Sequence, residues 1–237
     1  MITLAFDSTA KIASVAVTDG EKLLAQYNIN NGLTQSELLM PMAENIMKSL
    51  NIGFSDIELL ACSVGPGSFT GVRIGTALVK GIAFGRDIPC VSVSTLEALA
   101  ENVSPLCGIL VPVMDARRSQ VYTAIFKSDG KSVVRVCEDD ALPLSTLADA
   151  LKKYSDERIY LVGDGYAVAR AALEKEGINI ERTPELLIQE NAYSVARVAY
   201  KKYLCGEYTT DTNINPTYLR LPQAERERLE KEKNSNI

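Results

Sequence analysis

The chain has 237 residues, 46% of them hydrophobic and 23% charged, with a formal charge of −5. That is the balance of a folded protein with a sizeable core, not of a disordered chain or a basic nucleic-acid binder. It has no histidine and no tryptophan, which excludes a Ser-His-Asp triad, a Cys-His pair, imidazole metal ligands and a tryptophan-lined groove.

In chain order, residues 2–6 form a short apolar run that ends in Asp7-Ser8-Thr9. Residues 12–18 alternate as a strand, Asp19-Gly20 is a tight turn, and 22–29 is the returning strand. Residues 34–50 have helical spacing, with Thr34 as N-cap and Glu37 three residues on, a capping box. A strand over 58–64, a turn over 65–67 and a helix over 70–84 follow. A strand over 89–93 and a short helix over 94–102, capped by Ser94, close this half. The pattern then restarts: strands over 109–114, 120–126 and 133–137, a helix over 144–153, a strand over 159–162 and a helix over 167–176. Residues 103–108 are the seam, and a late helix spans 192–204. The tail over 216–237 carries the mixed-sign run ERERLEKEK, which reads as a solvated helix face or fraying end.

Two β-β-β-α-β-α halves, the second degenerate, are the layout of the α/β actin-like ATPase (ASKHA) fold, in which two related domains face a cleft. The expected first domain is 1–104, completed by the helix near 192–204; the shortened second domain is 105–190. The start has no basic, apolar leader, and no apolar run is long enough for a bilayer, so the expected compartment is the cytoplasm, with no membrane contact. Five scattered cysteines without a C-x-x-C are expected to be buried or inert reduced thiols.

Few segments offer chemistry, and no catalytic or metal-ligating set stands out. Gly65-Pro66-Gly67-Ser68 links a strand to a helix N-terminus, a place that suits anions, yet it fits neither a Walker loop nor a dinucleotide fingerprint. A plain tight turn is the competing reading. Asp7, Ser8 and Thr9 resemble the phosphate-contacting turn of actin-like ATPases, and local hydroxyl bonding is the alternative. Asp115 and Arg117, with Arg118, occupy the equivalent place in the second half. They are cleft candidates or a structural ion pair. Asp164 reads as a nucleotide-binding turn or an ordinary N-cap. The expected cofactor state is none tightly bound, with weak adenine nucleotide in the cleft or at a complex interface as the candidate ligand.

The two long helices are more informative. The apolar arc of the first covers about 200°, against somewhat over 100° for a helix lying on one sheet. Full burial in their own domain is one reading, a partner surface the other. The second assigns Met40, Ala43 and Met47 on the first helix, and Val72, Val79 and Ala83 on the second, to an outward flank bordered by Arg73, Thr76 and Lys80. That flank is expected to join a four-helix bundle with a related chain, or a homodimer when the partner is absent.

The segments LAFDSTAKIASVAV, SVGPGSFTGVRIGTALVKGIAFG, MDARRSQVYTAIF and NPTYLR resemble the bacterial TsaB (YeaZ) family of tRNA threonylcarbamoyladenosine biosynthesis proteins over essentially the whole chain. The resemblance implies a non-catalytic partner of a larger paralogue, TsaD, which transfers a threonylcarbamoyl group to N6 of adenosine 37 in tRNA. A small ATPase, TsaE, joins the pair, and tRNA is met only through the complex. TsaD-like proteins hold their metal through histidines on the first long helix, whereas here the position where TsaB relatives often carry one is Gln35. An independent actin-like kinase and a nucleotide-binding regulator are the alternatives.

Overall fold

Alternating apolar residues build a three-stranded meander at the start of the chain. The computed structural model describes residues 1–117 and 119–220, and there β1 (Ile2–Asp7), β2 (Ala13–Asp19) and β3 (Lys22–Ile29) pair antiparallel. Helix α1 (Gln35–Leu50) carries the chain to β4 (Leu59–Ser63), and α2 (Phe69–Ala83) to β5 (Cys90–Val93). Both strands add parallel, giving the order β3-β2-β1-β4-β5, as crossover connections require. The first turn of α1 is fixed as its sequence predicts: the Glu37 carboxylate accepts from the Thr34 amide at 3.1 Å and the Thr34 hydroxyl at 2.7 Å. Helix α3 (Thr95–Asn102) is opened by the Ser94 hydroxyl, which accepts from the Glu97 amide at 3.3 Å.

The second half repeats the plan with damage. Strand β6 (Gly108–Asp115) pairs with both β7 (Gln120–Thr123) and β8 (Phe126–Ser128), which together stand where one strand was expected. The break falls at Ala124-Ile125, where the Ile125 carbonyl turns to accept from Val136 at 2.8 Å. Strand β9 (Val133–Arg135) continues beside β8, and β10 (Asp140–Pro143), absent from the sequence reading, pairs with β7. Helix α4 (Leu144–Leu151) leads to β11 (Ile159–Val162), which lies parallel to β6, and helix α5 (Tyr166–Lys175) follows. Outside β11 a single bridge, Tyr160 to Glu181, stands where the first half has β5.

The final helix α6 (Ala192–Leu204) returns to the first sheet. Its Val195, Ala196 and Ala199 pack on Ala5, Ala16, Ala61 and Val93, and the small side chains allow a close helix–sheet contact. Helices α1 and α2 cover the opposite face through Leu39, Met42, Ala43, Ile46, Val79 and Ile82. Leu96 and Leu99 of α3 meet Leu110 and Met114 of β6, while Leu147, Leu151, Ala169 and Leu173 of α4 and α5 close the outer face of the second sheet. The result is two lobes, each a covered sheet, joined through α3 and α6. No helix among the described residues is long and apolar enough to cross a membrane.

One close contact fixes α2 against β1. A Cβ on Gly71 would collide with the backbone carbonyl of Ser8, and one on Gly75 would sit 2.6 Å from the Ser8 hydroxyl oxygen. The Ser8 hydroxyl donates to the Gly71 carbonyl at 2.8 Å. Helix propensity alone predicts a gain of about 1 kcal/mol from Gly71→Ala. The contact predicts the opposite sign, a loss of about 2–3 kcal/mol in urea unfolding.

Candidate functional site

The carboxyl ends of β1, β6 and β11 open into a cleft between the lobes, the usual place for ligands in α/β sheets. Its free volume is about 400 Å³. The first lobe contributes Thr9, Lys11, Gly67, Ser68 and Phe69; the second contributes Met114, Asp115, Arg117, Tyr122 and Asp164. Its walls therefore carry both cations and carboxylates.

Asp7 and Ser8 do not face this space, contrary to the phosphate-contact expectation. Both are 1% exposed. One Asp7 oxygen accepts from the Thr9 amide at 2.9 Å and the Thr9 hydroxyl at 2.7 Å, and the other accepts from Ser63 at 2.6 Å. Ser8 is spent on Gly71, and of the three only Thr9 reaches the cleft lining. The turn is a buried knot that ties β1 to β4 and α2.

The loop ahead of α2 serves packing as well. Gly65, at φ 116°, lies against the Thr217 carbonyl where a side chain would clash, and the Thr217 amide donates to Val64 at 2.7 Å. The Ser68 amide, a candidate anion donor, instead donates to the Thr9 carbonyl at 2.7 Å. The Ser68 hydroxyl caps the helix by accepting from Gly71 at 3.2 Å.

In the second lobe the Asp115 carboxylate accepts from the Arg117 amide at 2.8 Å, and the Arg117 guanidinium stands 3.9 Å from it with its side chain 87% exposed. This is a weak surface pair that leaves both groups open to the cleft. Arg118 lies outside the described residues. Asp164 is not the N-cap of α5, a position held by Gly165; its carboxylate accepts from the Asp115 amide at 3.0 Å.

Behind the cleft lies a residue the sequence reading missed. Glu190 is 2% exposed, accepts from the Asp164 amide at 3.2 Å through Oε1, and has no partner for Oε2. Burial, reinforced by the negative charges of Asp164 and Asp7, pushes its pKa up to about 8. Burial also raises Asp7, against the opposing bonds from Ser63 and Thr9, and partial enclosure raises Asp164. A lone glutamate between two unremarkable segments gives no sequence signal, because its neighbours are far away in the chain.

The partner flank also needs correction. Ala43, Met47, Val72, Thr76, Val79 and Ala83 are buried; Ala43, Met47, Val79 and Ala83 belong to the core under the first sheet, and Val72 is covered by the segment over 217–220. Of the nine residues assigned to that flank, Met40, Arg73 and Lys80 reach the surface. The apolar surface of these helices is instead Met40, Ile74, Ala77, Leu78, Gly81 and Phe84, with Phe84 79% exposed. A groove of about 290 Å³ runs between them, lined by Met40, Phe54, Ala77, Leu78, Gly81 and Arg86. Among the thiols Cys62 and Cys90 are buried, while Cys107, Cys137 and Cys205 are exposed; all five are free, and burial pushes Cys90 up to about 11.

A two-lobed chain with paired, unequal sheets and a cleft at their carboxyl ends is an actin-like ATPase-fold protein. Its structure superposes on YeaZ from Pseudomonas aeruginosa with a TM-score of 0.76, at 22% identity over 92% of this chain and 99% of that one. It also superposes on component A of (R)-2-hydroxyglutaryl-CoA dehydratase from Acidaminococcus fermentans with a TM-score of 0.51, at 13% identity over 86% of this chain and 99% of that chain. The sequence model of the family "TsaD: tRNA N6-adenosine threonylcarbamoyltransferase" matches residues 34–228, and the chain belongs to that family. The tRNA threonylcarbamoyladenosine biosynthesis protein TsaB of Bacillus subtilis (strain 168) is 29% identical over 236 residues, 98% of this chain and all of that protein.

The raised Glu190 has a signed consequence. Between an unfolded value of 4.5 and a folded value of about 8, the folded chain holds a proton that the unfolded chain has lost. The stabilisation is complete below about pH 4.5 and is lost as the pH rises through about 8. Glu190→Gln keeps the acceptor for Asp164 and removes the titration. Urea unfolding from pH 5 to 9 is expected to show a downward slope that this variant flattens, leaving it more stable than the parent at pH 9 by a few kcal/mol.

Proposed function

We propose that this chain is the non-catalytic partner subunit for N6-threonylcarbamoyladenosine formation at position 37 of tRNA, binding and supporting a larger TsaD-like threonylcarbamoyltransferase. The observation that carries the reading is the unpartnered apolar flank of α1 and α2, with Phe84 79% exposed beside the Met40–Leu78 groove. Two adjacent helices with an apolar centre and Arg73 and Lys80 at one edge suit docking on a matching helix pair. Without the paralogue, the same face pairs two copies of this chain.

The residue set argues against a second transferase. The chain has no histidine, and among the described residues no group of three or more Cys, Asp or Glu side chains could hold a metal ion. At the start of α1, Gln35 donates to the carbonyls of Ala10 at 3.0 Å and Lys11 at 3.4 Å and fastens the helix to the cleft rim. These residues do not fit a histidine-bound metal. With a charge of −5, tRNA contact belongs to the complex, which a TsaE-like ATPase joins in the cytoplasm. The cleft, with Lys11 and Arg117 on its walls, is left for weak adenine nucleotide binding rather than turnover.

Leu78→Glu is expected to keep the fold and to weaken the complex with the TsaD-like paralogue at least 100-fold, measured by sedimentation or calorimetry, because it buries an unpaired charge. Val79→Glu, one residue on but fully buried, should unfold the chain. A Leu78→Glu protein that binds the paralogue and restores modification at the parental level would place the docking face elsewhere.

A further inference from the structure

The segment after α6 crosses from one lobe to the other. It leaves α6, pairs Thr209 with Cys90 at the edge of the first sheet, and sinks Ile214, fully buried, into the core beneath α1 and α2. From there it runs along α2 toward the cleft. Asn215 accepts from Lys80 Nζ at 3.1 Å, and Thr217 lies against Val64 and Gly65. The Tyr218 ring stacks on Phe69 with centroids 4.9 Å apart, and its hydroxyl accepts from Arg73 Nε at 2.7 Å. Among the described residues, the contacts named to this point are with the first lobe.

The next two residues reach the second lobe. Leu219 packs on the cluster that contains Ala116 and Tyr122. The Arg220 guanidinium lies 5.7 Å from the Tyr122 ring centroid and donates to the Ala116 carbonyl at 3.4 Å. Free space between this segment, Gly67 and Tyr122 is only about 10 Å³, so the segment packs closely across the joint between the lobes, beside the Gly67, Phe69 and Tyr122 that also line the cleft. The two ends differ in kind. The first-lobe end is a buried anchor with short hydrogen bonds, whereas the second-lobe end is a long hydrogen bond and a partly exposed cation–π contact, both weak types.

We propose that residues 214–220 are an interlobe latch, hinged at Ile214 in the first lobe and caught by Leu219 and Arg220 on Ala116 and Tyr122, whose release opens the cleft. The positions of Arg73 and Phe69 set the catch, since they orient Tyr218 and so aim the next two side chains across the gap. Ligand access to Thr9, Lys11 and Asp115 then depends on a segment that touches none of them as a ligand would.

Amide hydrogen exchange on the full chain tests it. In Arg220→Ala, exchange over residues 113–123 of the second lobe is expected to rise at least 10-fold, with the urea midpoint unchanged. Arg73→Ala, whose target Tyr218 is stacked and bonded to α2 of the first lobe, is expected to raise exchange over the same second-lobe stretch, which a merely local contact would not do. Unchanged exchange at 113–123 in Arg220→Ala overturns the latch, as does a rise in Arg73→Ala confined to the first lobe. Should Arg73→Ala lower global stability, Tyr218→Phe replaces it, because this variant keeps the stack and loses only the hydroxyl acceptor.

Discussion

The approach of α2 to the Asp7–Thr9 turn sets the rest of the structure. It is possible because Gly71 and Gly75 lack side chains where Ser8 lies, and it is held by the Ser8 hydroxyl on the Gly71 carbonyl. From it follow the course of the loop over residues 65–68, the outward presentation of Leu78 and Phe84, and the shelf on which Tyr218 stacks. A helix seated further from the sheet would lose all three together. Two glycines in the first half of α2 cost helix propensity, and the close seat is what that cost secures.

Much of this frame is legible in the residues. The Thr34–Glu37 box, the Ser94 cap and the 192–204 helix fall where local chemistry puts them, because caps and apolar periodicity act within a few residues. The helix faces are a different matter. An apolar arc of about 200° has a middle that faces the sheet and two flanks that do not, and periodicity alone cannot say which residues are which. Ala43, Met47, Val79 and Ala83 are the middle; Met40, Ala77 and Leu78 are the flank. The Asp7 turn was ambiguous for a related reason. A carboxylate beside two hydroxyls can face a ligand or satisfy itself, and Ser63, 56 residues on, decides for the second. Glu190 and the Arg73–Tyr218 bond, the latter 145 residues apart in sequence, have no local signature at all.

The two halves have kept different parts of a common plan. The first retains five strands and a helix pair on its outer face; the second has a broken β7–β8 strand and one bridge where a fifth strand would lie. Both retain an acidic residue at the end of the leading strand, Asp7 and Asp115, but only Asp115 still faces the cleft. The cleft thus draws its carboxylates from the more eroded lobe, while the corresponding acid of the better-preserved lobe has become internal structure.

The return of α6 to the first sheet also has a bearing on how the protein is made. Ala5, Ala16, Ala61 and Val93 emerge early in synthesis, and their cover at Val195, Ala196 and Ala199 is the last helix of the chain. About 100 residues separate the last of these strands from its lid, so at typical elongation rates the inner face of the sheet waits about 5–20 s for its partner. During that interval the first lobe is half-covered, with one apolar sheet face open to solvent. The second lobe has all its own strands and helices in sequence before α6 arrives, and it can close first.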